Sequence, residues 1–191
     1  MGRVLDEIDD RLAEWIGDQK VFFVATAPSG SDGHVNLSPK GHDTFRILGS
    51  HAVAYQDLTG SGIETIAHLR DNGRLTIMFC AFDGPPTIVR LYGTGEVHEL
   101  GTPGYAELAP RFDEQLGARA IIHLQVERIS SSCGYTVPLM AYEGDRDKLL
   151  EFAERRGADG LVEYRAEKNA VSIDGLPGYG ATVAEGVGGM G

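Results

Sequence analysis

Hydrophobic positions near the start of the chain recur every three or four residues, which is the spacing of an amphipathic helix. Val4, Ile8 and Leu12 belong to this repeat, and acidic residues fill most of the positions between them. The pattern predicts a helix over residues 3–17. Apolar positions with the same spacing predict a second, shorter helix over residues 61–70.

Most of the remaining hydrophobic positions lie in short runs rich in β-branched and aromatic residues, some alternating with polar residues, as is typical of strands. Turn-forming residues such as Gly49, Ser50 and the DGPP segment separate the runs. The runs are VFFVATAP, HVNLSP, TFRIL, HAVAYQD, RLTIMFCAF, TIVRLYGTGEVHEL and ARAIIHLQVERISSS. Strands and helices do not alternate regularly, so a doubly wound parallel sheet is not expected. The predicted fold is mainly β, an antiparallel barrel or half-barrel of about six strands with peripheral helices.

Helical patterns return in the last third of the chain. RDKLLEFAERRG predicts one helix and LVEYRAEKN a shorter one. A glycine-rich stretch begins at Gly178, and we expect this tail to be flexible.

Composition and charge narrow the range of possible functions. The chain has 191 residues, a formal net charge of −11 and two cysteines without a CxxC partner. The negative charge argues against nucleic-acid partners and anionic membranes. The N-terminal segment lacks the pattern of a signal peptide, and no apolar run approaches the ~20 residues that span a bilayer. We therefore expect a soluble, cytoplasmic protein without disulfides.

The first candidate site lies where a predicted strand ends in Ser38, Pro39, Lys40 and Gly41. A hydroxyl, a cation and backbone N–H groups beside a glycine can hold a phosphate. A solvated turn explains the same residues.

A second candidate site is the turn Gly60-Ser61-Gly62, which opens the predicted short helix. A helix N-terminus favours an anion. The same segment also fits an ordinary capping box, with Ser61 as the N-cap and Glu64 three residues later.

Other chemistry-bearing residues give weaker signals. Arg90 interrupts an apolar strand and matters only if it faces inward. The six histidines form no HxH, HExxH or HxxxH motif, so no metal site is predicted. No GxSxG elbow is present, and the catalytic residues cannot be assigned from the sequence.

Three segments follow one another along the chain: VNLSPKG, AYQDLTGSGIETIAHLRDNGRLTIMF and GPPTIVRLYGTGEV. Taken in this order they resemble the pyridoxamine 5'-phosphate oxidase-like FMN-binding split-barrel family, and the likeness covers about residues 5–132. The resemblance implies a six-stranded antiparallel split β-barrel, a homodimer, and FMN bound in clefts at the subunit interface. It divides the chain into a flavin-binding split-barrel domain over residues 1–132, a C-terminal helical extension over 133–177 packed on the same domain, and the flexible tail over 178–191.

The resemblance also implies which residues hold the cofactor. The predicted cofactor-binding set is Asn36, Ser38, Lys40, Tyr55, Gln56, Asp57, Ser61, Gly62 and Arg90. True pyridoxamine-phosphate oxidases carry an Arg-Lys pair where this chain has Ser61 and Gly62, and they end in an Arg-containing substrate motif that this chain lacks. Oxidation of the vitamin phosphate itself is therefore not expected.

Three functions remain open at this stage. The first is an FMN-dependent oxidoreductase that acts on an unidentified small organic substrate. The second is a split-barrel protein that binds haem or a deazaflavin, since relatives of this fold use these groups. The third is a structural dimer without a cofactor.

Overall fold

The structure is a computed structural model that describes residues 2–181. Its eight strands are β1 (Arg3–Leu5), β2 (Phe22–Thr26), β3 (Asn36–Lys40), β4 (Phe45–Gly49), β5 (Ala52–Leu58), β6 (Arg74–Cys80), β7 (Thr87–Glu99) and β8 (Ala118–Cys133). Its helices are α1 (Asp10–Asp18), α2 (Glu64–Asn72), α3 (Pro103–Leu108) and α4 (Lys148–Lys168), with a 3₁₀ turn at Ala109–Arg111. None of the described helices is long and apolar enough to cross a membrane.

All eight strands belong to one antiparallel sheet. Seven of them follow the order β3-β2-β6-β7-β8-β5-β4, and β1 lies off this path, paired with β8. The sheet curls so that its two ends approach each other, because Phe22 of β2 packs on Phe45 of β4 with ring centroids 5.2 Å apart. No backbone pairing joins β3 to β4 within residues 2–181, so the barrel is open along this line. The mainly β fold with peripheral helices is confirmed.

The prediction of six strands was wrong, and β1 is the clearest reason. This strand pairs with Ile129–Ser131 of β8, in a segment that the sequence predicted as helix. The helix begins only at Asp10, after Asp9 caps it by accepting a hydrogen bond from the N–H of Leu12 at 2.8 Å. Val4, expected in the buried stripe, is 56% exposed. A long β8 with a free edge beyond β5 overrides the local helical pattern.

One apolar core fills the curled sheet. Its largest fully buried side chains include Tyr55, Phe79, Ile66, Ile77, Leu91, Ile122 and Leu124. A smaller apolar cluster around Ile121 and Phe112 lies under α3 on the other face of β8. The core thus holds β2, β5 and α2 together, and these elements border the site described below.

The C-terminal segment contacts the barrel through α4, where Arg165 Nε donates to Thr59 Oγ1 at 2.9 Å. Helix α4 contains a non-helical residue, Gly157 (φ 66°), so it consists of the two helical pieces predicted from the sequence. Beyond the helix, Gly178 N–H donates to Ala170 O at 2.8 Å and Tyr179 N–H donates to Asn169 O at 2.7 Å. These bonds hold the first residues of the segment predicted as a flexible tail, and residues 182–191 of that segment lie outside the described residues.

Gly93 marks a bulge in the long β7–β8 ladder, where the register shifts between Tyr92 and Gly93. A Cβ at Gly93 would overlap the backbone oxygen of Gln125, whereas a Cβ at Gly17, in α1, would meet nothing within 4 Å. We expect Gly93→Ala to lower the free energy of unfolding by about 1–3 kcal/mol through overpacking. Gly17→Ala should raise it by up to about 1 kcal/mol because alanine favours the helix. Urea denaturation of both variants measures this, and a destabilised Gly17→Ala or a neutral Gly93→Ala would contradict it.

Candidate functional site

A cleft of about 400 Å³ lies between the edge strand β3, the end of β5 and the turn that leads into α2. Its volume is within the range of small-molecule sites. The residues that line it are Asn36, Ser38, Pro39, Lys40, Gly41, His42, Thr44, Gln56, Asp57, Leu58, Gly60, Gly62, Glu64, Thr65, Arg119 and Leu149. Six of the nine predicted cofactor-binding residues are therefore brought together: Asn36, Ser38, Lys40, Gln56, Asp57 and Gly62.

Strand alternation explains how β3 contributes to the cleft. Asn36, Ser38 and Lys40 are each half-buried, while Leu37 between them is 61% exposed. Residues i, i+2 and i+4 of a strand share one face, so the three polar side chains point the same way. Pro39 is tolerated because β3 lies at the edge of the sheet.

A cluster of three charges forms the floor of the cleft. Asp57 is 1% exposed and accepts from Lys40 Nζ at 2.7 Å and from Arg119 Nε at 2.8 Å. Burial alone would raise the pKa of Asp57, but the two cations lower it to about 2. The carboxylate is therefore ionised at neutral pH, and the cluster carries one net positive charge.

Arg119 also fixes the turn before α2. Its Nη2 donates to Gly62 O at 2.6 Å and its Nη1 to Asn169 Oδ1 at 2.7 Å. Asn169, which is fully buried at the end of α4, donates in turn to Gly60 O at 2.9 Å. The turn is held by its carbonyl oxygens, so its shape depends on both the sheet and the C-terminal extension.

Sequence reasoning missed Arg119. A signal was present, because this arginine interrupts an apolar strand run in the same way as Arg90 does. In the structure, these two arginines lie in different environments. Arg119 is 4% exposed and lines the cleft. Arg90 lies between the core residues Val89 and Leu91, on the opposite face of β7, where its Nη1 donates to Ser132 Oγ at 3.2 Å.

A network of neutral groups extends from the cleft into the protein. Ser38 Oγ donates to Asn36 Oδ1 at 3.1 Å, and Asn36 Nδ2 donates to Thr26 Oγ1 at 3.1 Å and to Thr65 Oγ1 at 3.0 Å. Thr26 Oγ1 is 3.0 Å from Nδ1 of the buried His68. These bonds fix the Asn36 amide, so that Ser38 is held toward the cleft by a side chain that cannot turn freely.

The other predicted residues take different positions. Tyr55 is fully buried with its ring against Phe22, and burial raises the pKa of its hydroxyl well above the usual value. Ser61 lines a neighbouring hollow instead of the cleft. Gln56 is buried, and its Oε1 finds no hydrogen-bond partner within residues 2–181. This oxygen is itself shielded from solvent, so the Gln56 amide is enclosed within the protein.

The start of α2 differs from the predicted capping box. The helix begins at Glu64, and Ile63 occupies the N-cap position without a side-chain cap. Ile63 N–H donates to Glu64 Oε2 at 3.0 Å, so the interpretation of Ser61 as the N-cap was wrong. A carboxylate of the chain itself thus already satisfies one donor at this helix end.

At the opposite rim of the cleft, His42 adopts φ 57°, which is uncommon for a residue other than glycine. Backbone in this region tends to persist where the surrounding structure requires it. Thr44 Oγ1, two residues later, donates to Gly41 O at 2.9 Å and closes this short loop. The rim therefore presents an imidazole on a constrained backbone.

Comparison with known proteins gives the family. The family model described as pyridoxamine 5'-phosphate oxidase matches residues 8–133, a stretch that contains every strand of the cleft. The chain belongs to the pyridoxamine 5'-phosphate oxidase family. Within this family it is similar to the protein ustO of Aspergillus flavus, with 43% identity over 192 residues, 91% of this chain and 76% of that protein.

Solved structures agree on the family fold. A variant of HupZ from Group A Streptococcus is 25% identical, with a TM-score of 0.51 over 65% of this chain and 99% of that one. A protein named for pyridoxamine 5'-phosphate oxidase from Lactobacillus delbrueckii is 17% identical, with a TM-score of 0.50 over 66% of this chain and 98% of that one. The likeness covers the barrel shared by the pyridoxamine 5'-phosphate oxidase family.

Proposed function

We propose that the cleft binds FMN and that the protein is a flavin-dependent oxidoreductase acting on a small organic substrate. The observation that carries the proposal is the convergence of Ser38, Lys40, Gln56 and Gly62 on one cleft, in a chain of the pyridoxamine 5'-phosphate oxidase family. These residues come from β3, from β5 and from the turn before α2, which are far apart in the sequence.

The residues of the cleft can hold a flavin phosphate with few positive charges. Lys40 Nζ and Ser38 Oγ supply a cation and a hydroxyl on one strand face, and the charge cluster beneath them is positive by one unit. Glycines at 60 and 62 let a ligand approach the backbone of the turn.

The chain's own part in catalysis is to bind and orient. A bound flavin supplies the redox chemistry by taking up and giving back electrons. Lys40 and Ser38 would hold the phosphate end. Arg119 acts through the turn carbonyls of Gly60 and Gly62, and we regard it as a positioning residue.

We further propose that two copies of the chain form the complete site. The neighbouring hollow beside Gly62 is bordered by Val35, Leu37 and Ile173, which are 76%, 61% and 72% exposed. Clustered exposed apolar side chains are typical of protein interfaces. A second copy covering them would also border the cleft.

Titration of the purified, untagged protein with FMN tests the proposal. We expect quenching of FMN fluorescence with saturation at low micromolar concentrations and one FMN per chain. Sedimentation measured in parallel gives the oligomeric state. A well-folded dimer that does not bind FMN would refute the proposed cofactor, and a monomer that binds FMN would refute the two-copy site.

A haem- or deazaflavin-binding protein is the second candidate function. It is favoured by the low net charge of the floor cluster and, for haem, by His42 on the cleft rim, since imidazole is a common iron ligand. A Soret band that forms on haem titration of the wild type and is lost in His42→Ala would support haem binding in place of FMN.

A further inference from the structure

A second group of ligand-type side chains lies away from the cleft, on adjoining parts of β7 and β8. Glu96 of β7 is paired directly opposite His123 of β8, and His98 follows two positions after Glu96. Side chains at i and i+2 share a face, and directly opposed residues of antiparallel strands bring their Cβ atoms within about 5.5 Å. One ligand atom from each residue lies within 4.8 Å of the others.

This face is distinct from the one that covers the main core. Val97, Ile122 and Leu124, which alternate with the three residues, pack into the core. Glu96 is exposed, while His98 and His123 are half-buried. The three side chains therefore meet at a surface that a small ion can reach.

The imidazole of His98 is held by its surroundings. A Cβ at Gly104, in α3, would overlap Nδ1 of His98, so the ring lies directly against the glycine backbone. Its other nitrogen, Nε2, is 3.8 Å from Glu96 Oε2, which is too far for a hydrogen bond. Within residues 2–181, no protein group forms a hydrogen bond with the ring nitrogens of either His98 or His123, so both imidazoles have lone pairs to offer.

We propose that Glu96, His98 and His123 bind one divalent transition-metal ion of the zinc class per chain. Two imidazole nitrogens and one carboxylate form a donor set that suits such ions, with metal–ligand distances of about 2.0–2.2 Å. Two ligands of one such ion lie about 3–4 Å apart, so small rotations of these side chains complete the geometry. The chain's net charge of −11 favours a cation.

The site leaves coordination positions open. Glu96 and His98 line a hollow of about 570 Å³, which Arg70, Glu99 and Thr102 also border. Three protein ligands satisfy fewer positions than zinc-class ions occupy, and metal sites with three protein ligands keep the remaining position for water or another small ligand. The bound ion would face this hollow.

Equilibrium dialysis of the untagged full chain against Zn²⁺, with metal analysis of the protein, tests the proposal. We expect saturable binding of one Zn²⁺ per chain at micromolar concentrations. Co²⁺ bound in place of Zn²⁺ should show the visible bands of nitrogen-and-oxygen coordination. Absence of saturable binding would overturn the proposal.

Variants locate the ion. Glu96→Gln and His98→Gln should each weaken Zn²⁺ binding by at least about tenfold, because even the outer partners of zinc ligands are worth 10–100-fold. Glu96 is exposed, so its variant should fold normally. His34→Gln is the matched control, since His34 Nδ1 is 2.6 Å from Asp174 Oδ1 but lies outside the three-residue group. Unchanged affinity in the first two variants, or an equal loss in the control, would overturn the proposed ligands.

Discussion

We expect Asp57→Asn to lower the free energy of unfolding by about 3–5 kcal/mol, which is the cost of leaving a buried cation without its partner. Asp57 is 1% exposed and Arg119 is 4% exposed, so neither can replace its partner with bulk water. Asn has nearly the same shape as Asp, and the change therefore removes the charge with little change in packing. Urea denaturation measures the loss.

A surface ion pair provides the control for this prediction. Asp43 Oδ1 lies 2.7 Å from Arg46 Nη1, the same separation as in the Lys40–Asp57 pair, but the Asp43 side chain is 74% exposed. Exposed pairs contribute about 1 kcal/mol or less, so Asp43→Asn should change stability little. If the two variants lose equal stability, burial does not give the Asp57 cluster its importance.

The pH dependence of stability gives an independent check on the same cluster. The pKa of Asp57 in the folded protein is about 2, below the ordinary value of 3.8. A carboxylate with a lowered pKa stabilises the fold above its unfolded pKa, and this contribution is lost as the pH falls from about 4 toward 2. The stability difference between the wild type and Asp57→Asn should therefore narrow over that range. A difference that stays constant on acidification would contradict the role of the charge.

The strand pattern was the most reliable source of prediction. The run HVNLSP predicted a strand that ends in Ser38, Pro39, Lys40 and Gly41, and the structure has Asn36, Ser38 and Lys40 on one face of β3. The helix predicted over residues 61–70 exists as α2 but starts at Glu64. The spacing of apolar residues predicts that a helix is present. The residue at which the helix begins depends on which side chain reaches the free N–H groups.

Contacts that depend on sheet register could not be predicted. Arg119 reaches Asp57 only because β5 and β8 are adjacent with Asp57 opposite Ala120, and nothing in the local sequence states that pairing. Glu96 and His123 are directly opposed for the same reason. β1 was missed because three residues carry too little pattern to compete with a helical repeat.

The same limit applies to the residues of β5 that the family resemblance predicted to bind the cofactor. Tyr55, Gln56 and Asp57 are consecutive in β5, so their side chains alternate between the two faces of the sheet. Tyr55 packs in the core, while Gln56 and Asp57 both border the cleft at the end of β5. Alternation alone does not reveal that two successive residues of a strand end border one cleft.

Lys40→Met should weaken FMN binding by roughly tenfold to a hundredfold while changing riboflavin binding by less than about threefold. This prediction rests on the proposed cofactor, and the two ligands differ only in the phosphate. A charge-assisted hydrogen bond contributes about 1.5–3 kcal/mol, which corresponds to the expected loss for FMN. Methionine keeps the length of the side chain, and Arg119 still neutralises Asp57 in the variant. Fluorescence titration with each ligand gives the two affinities.

Lys168→Met is the matched control, because the Lys168 side chain is 52% exposed, pairs with Glu167 and does not line the cleft. It removes the same charge from the protein as a whole, so a general effect of net charge on FMN would appear equally in both variants. A loss confined to Lys40→Met and to FMN would identify Lys40 as a phosphate ligand. Equal losses for FMN and riboflavin would mean that Lys40 shapes the cleft through Asp57 and does not contact the phosphate, since a phosphate ligand should affect only the ligand that carries a phosphate.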